Sequence, residues 1–579
     1  MKDILRKLRR ILDKKQNRTM AALMVMMIIG GFLQMASVGM LVAAVNVVID
    51  AEKVSKSKIA GKMYELMGSP DIQFFAIFVM ASLIAMFVIK NLFLFFQHKA
   101  MLAFVYTNQF RTSERMMRNF IRRPYEFYLN ADTAVVQRSI TSDVNNMYAL
   151  ILAILHLLSD GAMSLFVVSY CFWQNGMMTL VMAVVMLLLL VVVKKVLKPI
   201  LLKAGKDNQM FYSGLFRCIS QMVHGIKDVK VSCSESYFVE EYNKCGEGYV
   251  NSVQKYSLYN QIPKLLMETV CVAAMMLYMI VMVLLGKDAD NMVESLSTIA
   301  AAAFVLLPAV NRISNQINSI TYLEPFFMGV ADNLQDEING ENIDISAYLP
   351  AKEALEVHEE IRLTDVTYAY PNTDKLIFDH AELVIPVGKS VGIVGTTGAG
   401  KSTVVDIMLG LLKLQSGKIL ADGVDVMTNY RGWLKNIGYI PQMSYMLDGA
   451  IRKNVAFGVP DDQISEERVW EVLREAQLDE FVKGLPEGIN TTIGERGIRL
   501  SGGQRQRISI ARALYDDPRI LILDEATSAV DNDTEAAIME SINRFQGKKT
   551  LLIIAHRLQT IEKCDMVYRV ENGSLKQER

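Results

Sequence analysis

The sequence predicts two parts: a membrane-embedded all-α domain of six transmembrane helices, followed by an α/β domain of the phosphate-loop type. Three observations carry that prediction. Hydrophobic residues make up 51% of the 579-residue chain, and the long uncharged runs all fall in its first 311 residues. The later part instead contains Gly395-Thr396-Thr397-Gly398-Ala399-Gly400-Lys401-Ser402, directly after the short apolar run Ser390 to Val394. A second short apolar run, Arg519 to Leu523, ends in the paired carboxylates Asp524 and Glu525.

The expected spans are about 20–49, 72–98, 145–173, 177–198, 259–286 and 294–315. Met20 to Ile49 and Gly161 to Val193 carry no charged residue, and Trp173-Gln174-Asn175-Gly176 supplies a turn that divides the second run into two helices. The first run is too long for the apolar core of a signal peptide. Basic residues gather in the first eighteen positions, from Arg111 to Arg123 and from Lys194 to Lys206, while the alternate loops show no such excess. Both termini are therefore expected in the cytoplasm. The two cytoplasmic loops read as helices continuing well past the bilayer. Domain limits of 1–335 and 361–579 follow, with the polar, acidic stretch 336–360 as the linker.

The Gly-x-x-x-x-Gly-Lys-Ser pattern fits a strand, loop and helix in which backbone N–H groups from Gly395, Thr396, Thr397, Gly398, Ala399 and Gly400 surround phosphates. Lys401 would reach the β/γ-phosphates, and Ser402, beside Thr403, would ligate magnesium. Asp524 would complete the magnesium shell while Glu525 polarises the attacking water. A further buried run, Thr550 to Ala555, delivers His556 to the same sheet edge, where it would contact the γ-phosphate. ATP and Mg²⁺ are the expected ligands.

With Leu500-Ser501-Gly502-Gly503-Gln504 between the two nucleotide motifs, the segment from about Ile361 onward resembles the ATP-binding cassette family. The resemblance implies an exporter-type membrane domain whose cytoplasmic extensions end in short coupling helices that dock on the cassettes, near Pro124 to Asn130 and Arg217 to Asp228; amphipathic helices lying on the membrane surface are the alternative. It implies that Tyr370 stacks on adenine and that Gln442 contacts magnesium and relays to the membrane domain. Ser528 to Asp531 matches the segment where two cassettes meet, and Gly494 to Gly497 the contact loop typical of exporters. It also implies that Ser501, Gly502, Gly503, Gln504 and Asp531 close on ATP held by the opposite subunit. One cassette cannot then finish a site, and intact motifs favour a symmetric homodimer.

Equal numbers of basic and acidic residues, 61 of each, give no electrostatic case for nucleic acid, and the six cysteines lack metal or disulfide spacing. The cargo signal is a set of intramembrane charges. Lys90, Lys264 and Arg312 would suit a pyrophosphate headgroup if they share a cavity. Alternatively they snorkel to the interface or pair internally, as Lys264 could with Glu268. The whole chain is also similar to bacterial lipid-linked oligosaccharide flippases (PglK type), notably at Leu307-Pro308-Ala309-Val310-Asn311-Arg312-Ile313 and Val567-Tyr568-Arg569. That similarity implies inner-to-outer flipping of a polyprenyl-pyrophosphate-linked oligosaccharide across the bacterial plasma membrane, with Val54 to Met67 as an external helix engaging the lipid. A general lipid, lipid A or drug exporter remains open, as does an ATP-gated channel or regulatory ATPase.

Overall fold

The structure, a computed structural model, describes residues 2–49, 72–174, 176–284, 289–339, 355–525, 532–555 and 561–579. The proposed external helix over 54–67 lies outside these residues. Two compact units emerge: Met1–Ile121 with Ala131–Glu341, and Arg122–Asn130 with Asn342–Arg579.

The first unit is helical. Its long helices are Lys14–Ile49, Ile72–Ile121, Ser142–Gln174, Gly176–His224, Glu235–Leu284 and Ala289–Asn339. The Ile72–Ile121 helix has 50 residues, about 75 Å at roughly 1.5 Å per residue, against about 30 Å of bilayer hydrocarbon. Such helices must continue well beyond the membrane. Among the described residues, Lys14–Leu41, Gln73–Ile121 and Thr133–Tyr170 are long and apolar enough to cross it. Side chains such as Ile84, Phe95 and Leu188 are exposed, which suits a lipid solvent. The last helix runs to Asn339, so helix replaces the first residues of the expected linker.

Because lipid offers no hydrophobic drive between helices, close backbone packing and hydrogen bonds must hold them together. Beyond the expected spans, where the helices continue outside lipid, a Cβ on Gly205 would lie 2.1 Å from the carbonyl oxygen of Tyr322, so glycine permits that helix crossing. Nearby, Tyr256 stacks on Tyr322 at 4.1 Å between ring centroids, and the Tyr256 and Ser319 hydroxyls are hydrogen-bonded at 2.9 Å. Gln97 Nε2 donates to Ser159 Oγ at 2.9 Å in a buried pair.

The second unit holds two sheets. The strands are β1 (Glu360–Ala369), β2 (Leu376–Pro386), β3 (Ser390–Val394), β4 (Ser416–Ala421), β5 (Val424–Asp425), β6 (Ile437–Ile440), β7 (Ile520–Asp524), β8 (Thr550–Ile554), β9 (Met566–Glu571) and β10 (Ser574–Gln577). A four-stranded antiparallel sheet has the order β2-β1-β4-β5, and a six-stranded sheet the order β10-β9-β3-β8-β7-β6. Every residue of β3, β7 and β8 is buried, as expected for parallel strands covered on both faces. The short helix Tyr125–Leu129 groups with this unit rather than with the long helices adjoining it in sequence. There Glu126 Oε1 accepts from the Lys413 amide at 3.0 Å. Where the second coupling helix is expected, the Gly176–His224 helix breaks at Gly225 and a short helix follows at Ile226–Val231.

Candidate nucleotide site and membrane cavity

Strands β3, β8 and β7 are parallel neighbours, so their C-terminal ends open on one sheet edge, where ligands of open α/β sheets bind. Beyond β3 the chain turns through Gly395 to Gly400 into the helix Lys401–Met408. Gly400 has φ 106°, and a Cβ there would meet Ile377 Cγ2 at 2.8 Å and Phe378 Cζ at 3.1 Å. Neither the backbone angle nor the space admits a side chain. Gly398 has φ 80° in open surroundings, so its requirement is conformational alone. The buried Lys401 donates from Nζ to the carbonyl oxygens of Gly395 at 3.1 Å and Thr396 at 3.2 Å. Its cation is thereby folded over the loop whose N–H groups would receive phosphate.

Ser402 Oγ donates to Asp524 Oδ1 at 3.3 Å, joining the two expected magnesium ligands across adjoining elements. Burial, and then the charge of neighbouring Glu525, push the Asp524 carboxyl above its ordinary range. Asp406 is pushed up to about 6, by burial and then by Asp524. A hydroxyl and a carboxylate side by side in an anion-rich site are hard oxygen donors that gain from a divalent cation, so these residues fit Mg²⁺. Glu525 adopts φ 49°, an uncommon conformation for a non-glycine residue, and its Oε2 accepts from Gln442 Nε2 at 2.8 Å. Sequence reasoning named both residues but not this bond, because β6 and β7 become neighbours only in the sheet.

Tyr370 follows directly after β1, and its hydroxyl is hydrogen-bonded to Thr403 Oγ1 at 3.0 Å. Its ring meets Tyr368 edge-on at 5.3 Å. The aromatic expected beside adenine is thus tied to the helix that follows the phosphate loop. Ser501 caps the helix Gly502–Leu514 in a reciprocal box: Gln504 N donates to Ser501 Oγ at 3.2 Å, and Ser501 N donates to Gln504 Oε1 at 2.8 Å. Arg505 supports the preceding turn through the Leu500 carbonyl at 2.8 Å. Ser501 and Gly502 are exposed, leaving the positive end of this helix open to an anion. His556, Asp531 and the rest of Ser528 to Asp531 lie outside the described residues.

In the helical unit, a cavity of about 460 Å³ is lined by polar residues that include Gln34, His98, His156, Asp160, Arg312 and Gln316. Arg312 Nε donates to Asp160 Oδ1 at 2.8 Å. Of the three expected cations, Arg312 lines this cavity, whereas Lys90 and Lys264 lie away from it. Lys90 is buried with its ammonium 4.2 Å from the Phe87 ring centroid, and Lys264 is exposed. Their burial differs because they lie on different helices, Ile72–Ile121 and Glu235–Leu284, with different neighbours.

Residues 20–308 match the ABC transporter transmembrane region model, and residues 378–528 match the ABC transporter model. The uncharacterized ABC transporter ATP-binding protein YwjA of Bacillus subtilis is 30% identical over 78% of this chain and 78% of its own length. The chain belongs to the ABC transporter family. An ATP-dependent lipid A-core flippase of Vibrio cholerae is 28% identical over 80% of the chain and 78% of its own length. A bacterial Atm1-family ABC exporter solved with ATP bound superimposes with a TM-score of 0.78 at 22% identity, covering 98% of this chain and 96% of that one, which establishes the exporter fold. This ABC transporter is a multi-pass membrane ATPase that uses ATP with Mg²⁺ and couples hydrolysis to transport.

Proposed function

We propose that this ABC transporter is a homodimeric lipid exporter of the bacterial plasma membrane, moving a polyprenyl-pyrophosphate-linked oligosaccharide from the inner to the outer leaflet. Its termini and cassette are cytoplasmic. The observation that carries the reading is the membrane cavity with Arg312 on its wall, a fixed cation where an anionic headgroup would need one. The likeness to lipid A-core flippases supports lipid cargo. It also favours a second reading, lipid A itself, since both lipids present phosphate to a cation.

In the cassette, Lys401 neutralises phosphate charge, N–H groups of the Gly395–Gly400 loop orient it, and Glu525, steadied by Gln442, accepts the proton of the attacking water. Ser402 and Asp524, with Gln442 nearby, would hold Mg²⁺, which would supply charge stabilisation of the transferring phosphoryl group. His556 contacts the γ-phosphate. The signature Ser501 to Gln504 and Asp531 act on nucleotide bound by the second subunit.

The test is leaflet-resolved transport in proteoliposomes, with polyprenyl-pyrophosphate glycan and lipid A as alternative cargoes. ATP-dependent movement of the first supports the principal reading, and movement of lipid A alone supports the second. If neither moves while ATP is hydrolysed, lipid export is wrong.

A further inference from the structure

The cavity contains an element that the fixed cation does not explain. His98, from the helix Ile72–Ile121, and His156, from the helix Ser142–Gln174, face each other with ring centroids 5.6 Å apart and planes inclined at 44°. Both line the cavity with Arg312 and Asp160. Among the described residues neither imidazole has a hydrogen-bond partner. A polar pair at a cavity wall is thus left with donor and acceptor capacity.

Charge around the cavity decides what this pair would bind. The helix Lys14–Ile49 contributes uncharged Gln34, and Ala289–Asn339 contributes Arg312 and uncharged Gln316. Ile72–Ile121 contributes His98, and Ser142–Gln174 contributes His156 and Asp160. Arg312 is already engaged by Asp160, so with neutral imidazoles the lining charges cancel. Each proton taken up by this pair adds a positive charge to the wall, and imidazole is the side chain whose charge changes within the physiological range.

Position points the same way. His98 lies 26 residues along its helix from Ile72, and Arg312 lies 23 along its helix from Ala289, or roughly 39 and 35 Å at about 1.5 Å per residue. In the proposed orientation both helices start at the outer face. These side chains therefore lie near the inner headgroup level, where a lipid awaiting export presents its phosphates.

We propose that His98 and His156 form a proton-dependent phosphate clamp, which as imidazolium ions grips the phosphorylated headgroup of the exported lipid beside Arg312 and weakens its grip when they lose their protons. The inference rests on the lipid-export reading and adds the recognising residues and their pH dependence. For probes that carry a terminal phosphate monoester or free pyrophosphate, a fixed guanidinium alone predicts the opposite trend. A phosphate monoester gains charge through its second ionisation near pH 6 and would then bind Arg312 more tightly as pH rises. With the clamp, loss of two cations outweighs that gain, and affinity falls.

The experiment is equilibrium binding to the full-length protein in phosphatidylcholine nanodiscs, between about pH 5.5 and 8.5, the range in which imidazole titrates. The probes are farnesyl pyrophosphate, lipid A and inorganic pyrophosphate. For wild type, affinity for the phosphorylated lipids should fall about tenfold or more as pH rises, the scale of losing charge-assisted hydrogen bonds. The His98→Asn/His156→Asn variant should lose that fall. His98→Lys should hold affinity high at alkaline pH, a gain that misfolding cannot mimic. Binding of inorganic pyrophosphate with the same dependence would show that the headgroup alone suffices, whereas binding only of the lipids would show that the chain is also read. Wild-type binding that strengthens with pH, or His98→Lys and wild-type profiles that coincide, would overturn the clamp and leave lipid export standing. Failure of wild type to bind either lipid at any pH would overturn both.

Discussion

Replacing Glu525 with glutamine isolates the chemical step, because the structure shows what the change preserves. Glu525 Oε2 accepts from Gln442 Nε2 at 2.8 Å, and an amide can present its own oxygen to the same donor, so the contact that aims this side chain survives. The Ser402–Asp524 hydrogen bond and those of Lys401 to the Gly395 and Thr396 carbonyls do not depend on it. What disappears is the basic oxygen that takes a proton from water. A positioned general base contributes about 10²- to 10⁴-fold, equivalent to roughly 3 to 5 kcal/mol of barrier. Glu525→Gln should therefore lower kcat for phosphate release by at least about a hundredfold while equilibrium ATP affinity stays within a few-fold of wild type. Gln442→Ala provides the complementary measurement: the base remains but loses its steadying donor, so kcat should fall by about tenfold, the upper part of what one hydrogen bond is worth. Steady-state phosphate release and nucleotide-binding titrations on the same preparations give both quantities. Hydrolysis by Glu525→Gln within about threefold of wild type would remove Glu525 from the role of base, since no effect of that size separates a carboxylate from an amide in proton transfer.

Gly400→Ala should weaken nucleotide binding by about ten- to a hundredfold in a fluorescent-nucleotide titration, since φ 106° and the 2.8 Å approach to Ile377 each add strain of about 1 to 3 kcal/mol. Asp406→Asn should raise the melting temperature at neutral pH. With the folded carboxyl pushed up to about 6, the native state binds the proton more tightly than the unfolded chain, so ionisation costs stability as pH rises through that value. Discounted by half for partial exposure, the gain is about 1.5 kcal/mol, and it should vanish as pH falls below about 3, where the carboxyl is protonated in both states. Mixing Lys401→Ala chains with Ser501→Arg chains should restore one hydrolytic site per dimer, and ATPase activity no higher than that of either variant alone would count against sites shared between subunits.

The cassette was legible because its chemistry lies at the ends of short strands that are buried wholly, as in β3, β7 and β8, or in alternation, as in β6. Ser390 to Val394 and Ile437 to Ile440 coincide with β3 and β6, and the Gly-rich loop and the carboxylate pair follow their strands without interruption. Local sequence determines such strand–loop junctions, since the glycine angles and the burial pattern of each strand follow from the residues themselves. Partnership across the sheet was not legible. Gln442 and Glu525 are 83 residues apart, and only the β6–β7 pairing makes the amide a support for the base.

In the membrane half, hydropathy locates helices but says little about which of their faces meet. Lys90, Lys264 and Arg312 share a sign, and sign alone suggested a common cavity. The packing separates them, assigning Arg312 to Asp160, 152 residues earlier, and Lys90 to the ring of Phe87. His98 offered no signal at all, because it follows an apolar run at the point where the helix leaves the bilayer and reads as an interfacial residue. Its meaning comes from His156, 58 residues away, on a helix of opposite direction in the expected topology. Charges inside a membrane protein acquire function through the partner that desolvates or neutralises them. For the same reason Arg312, half-offset by Asp160, is a weaker anion site by itself than its sequence position suggests, and the two imidazoles beside it supply the charge that a phosphorylated headgroup would still require.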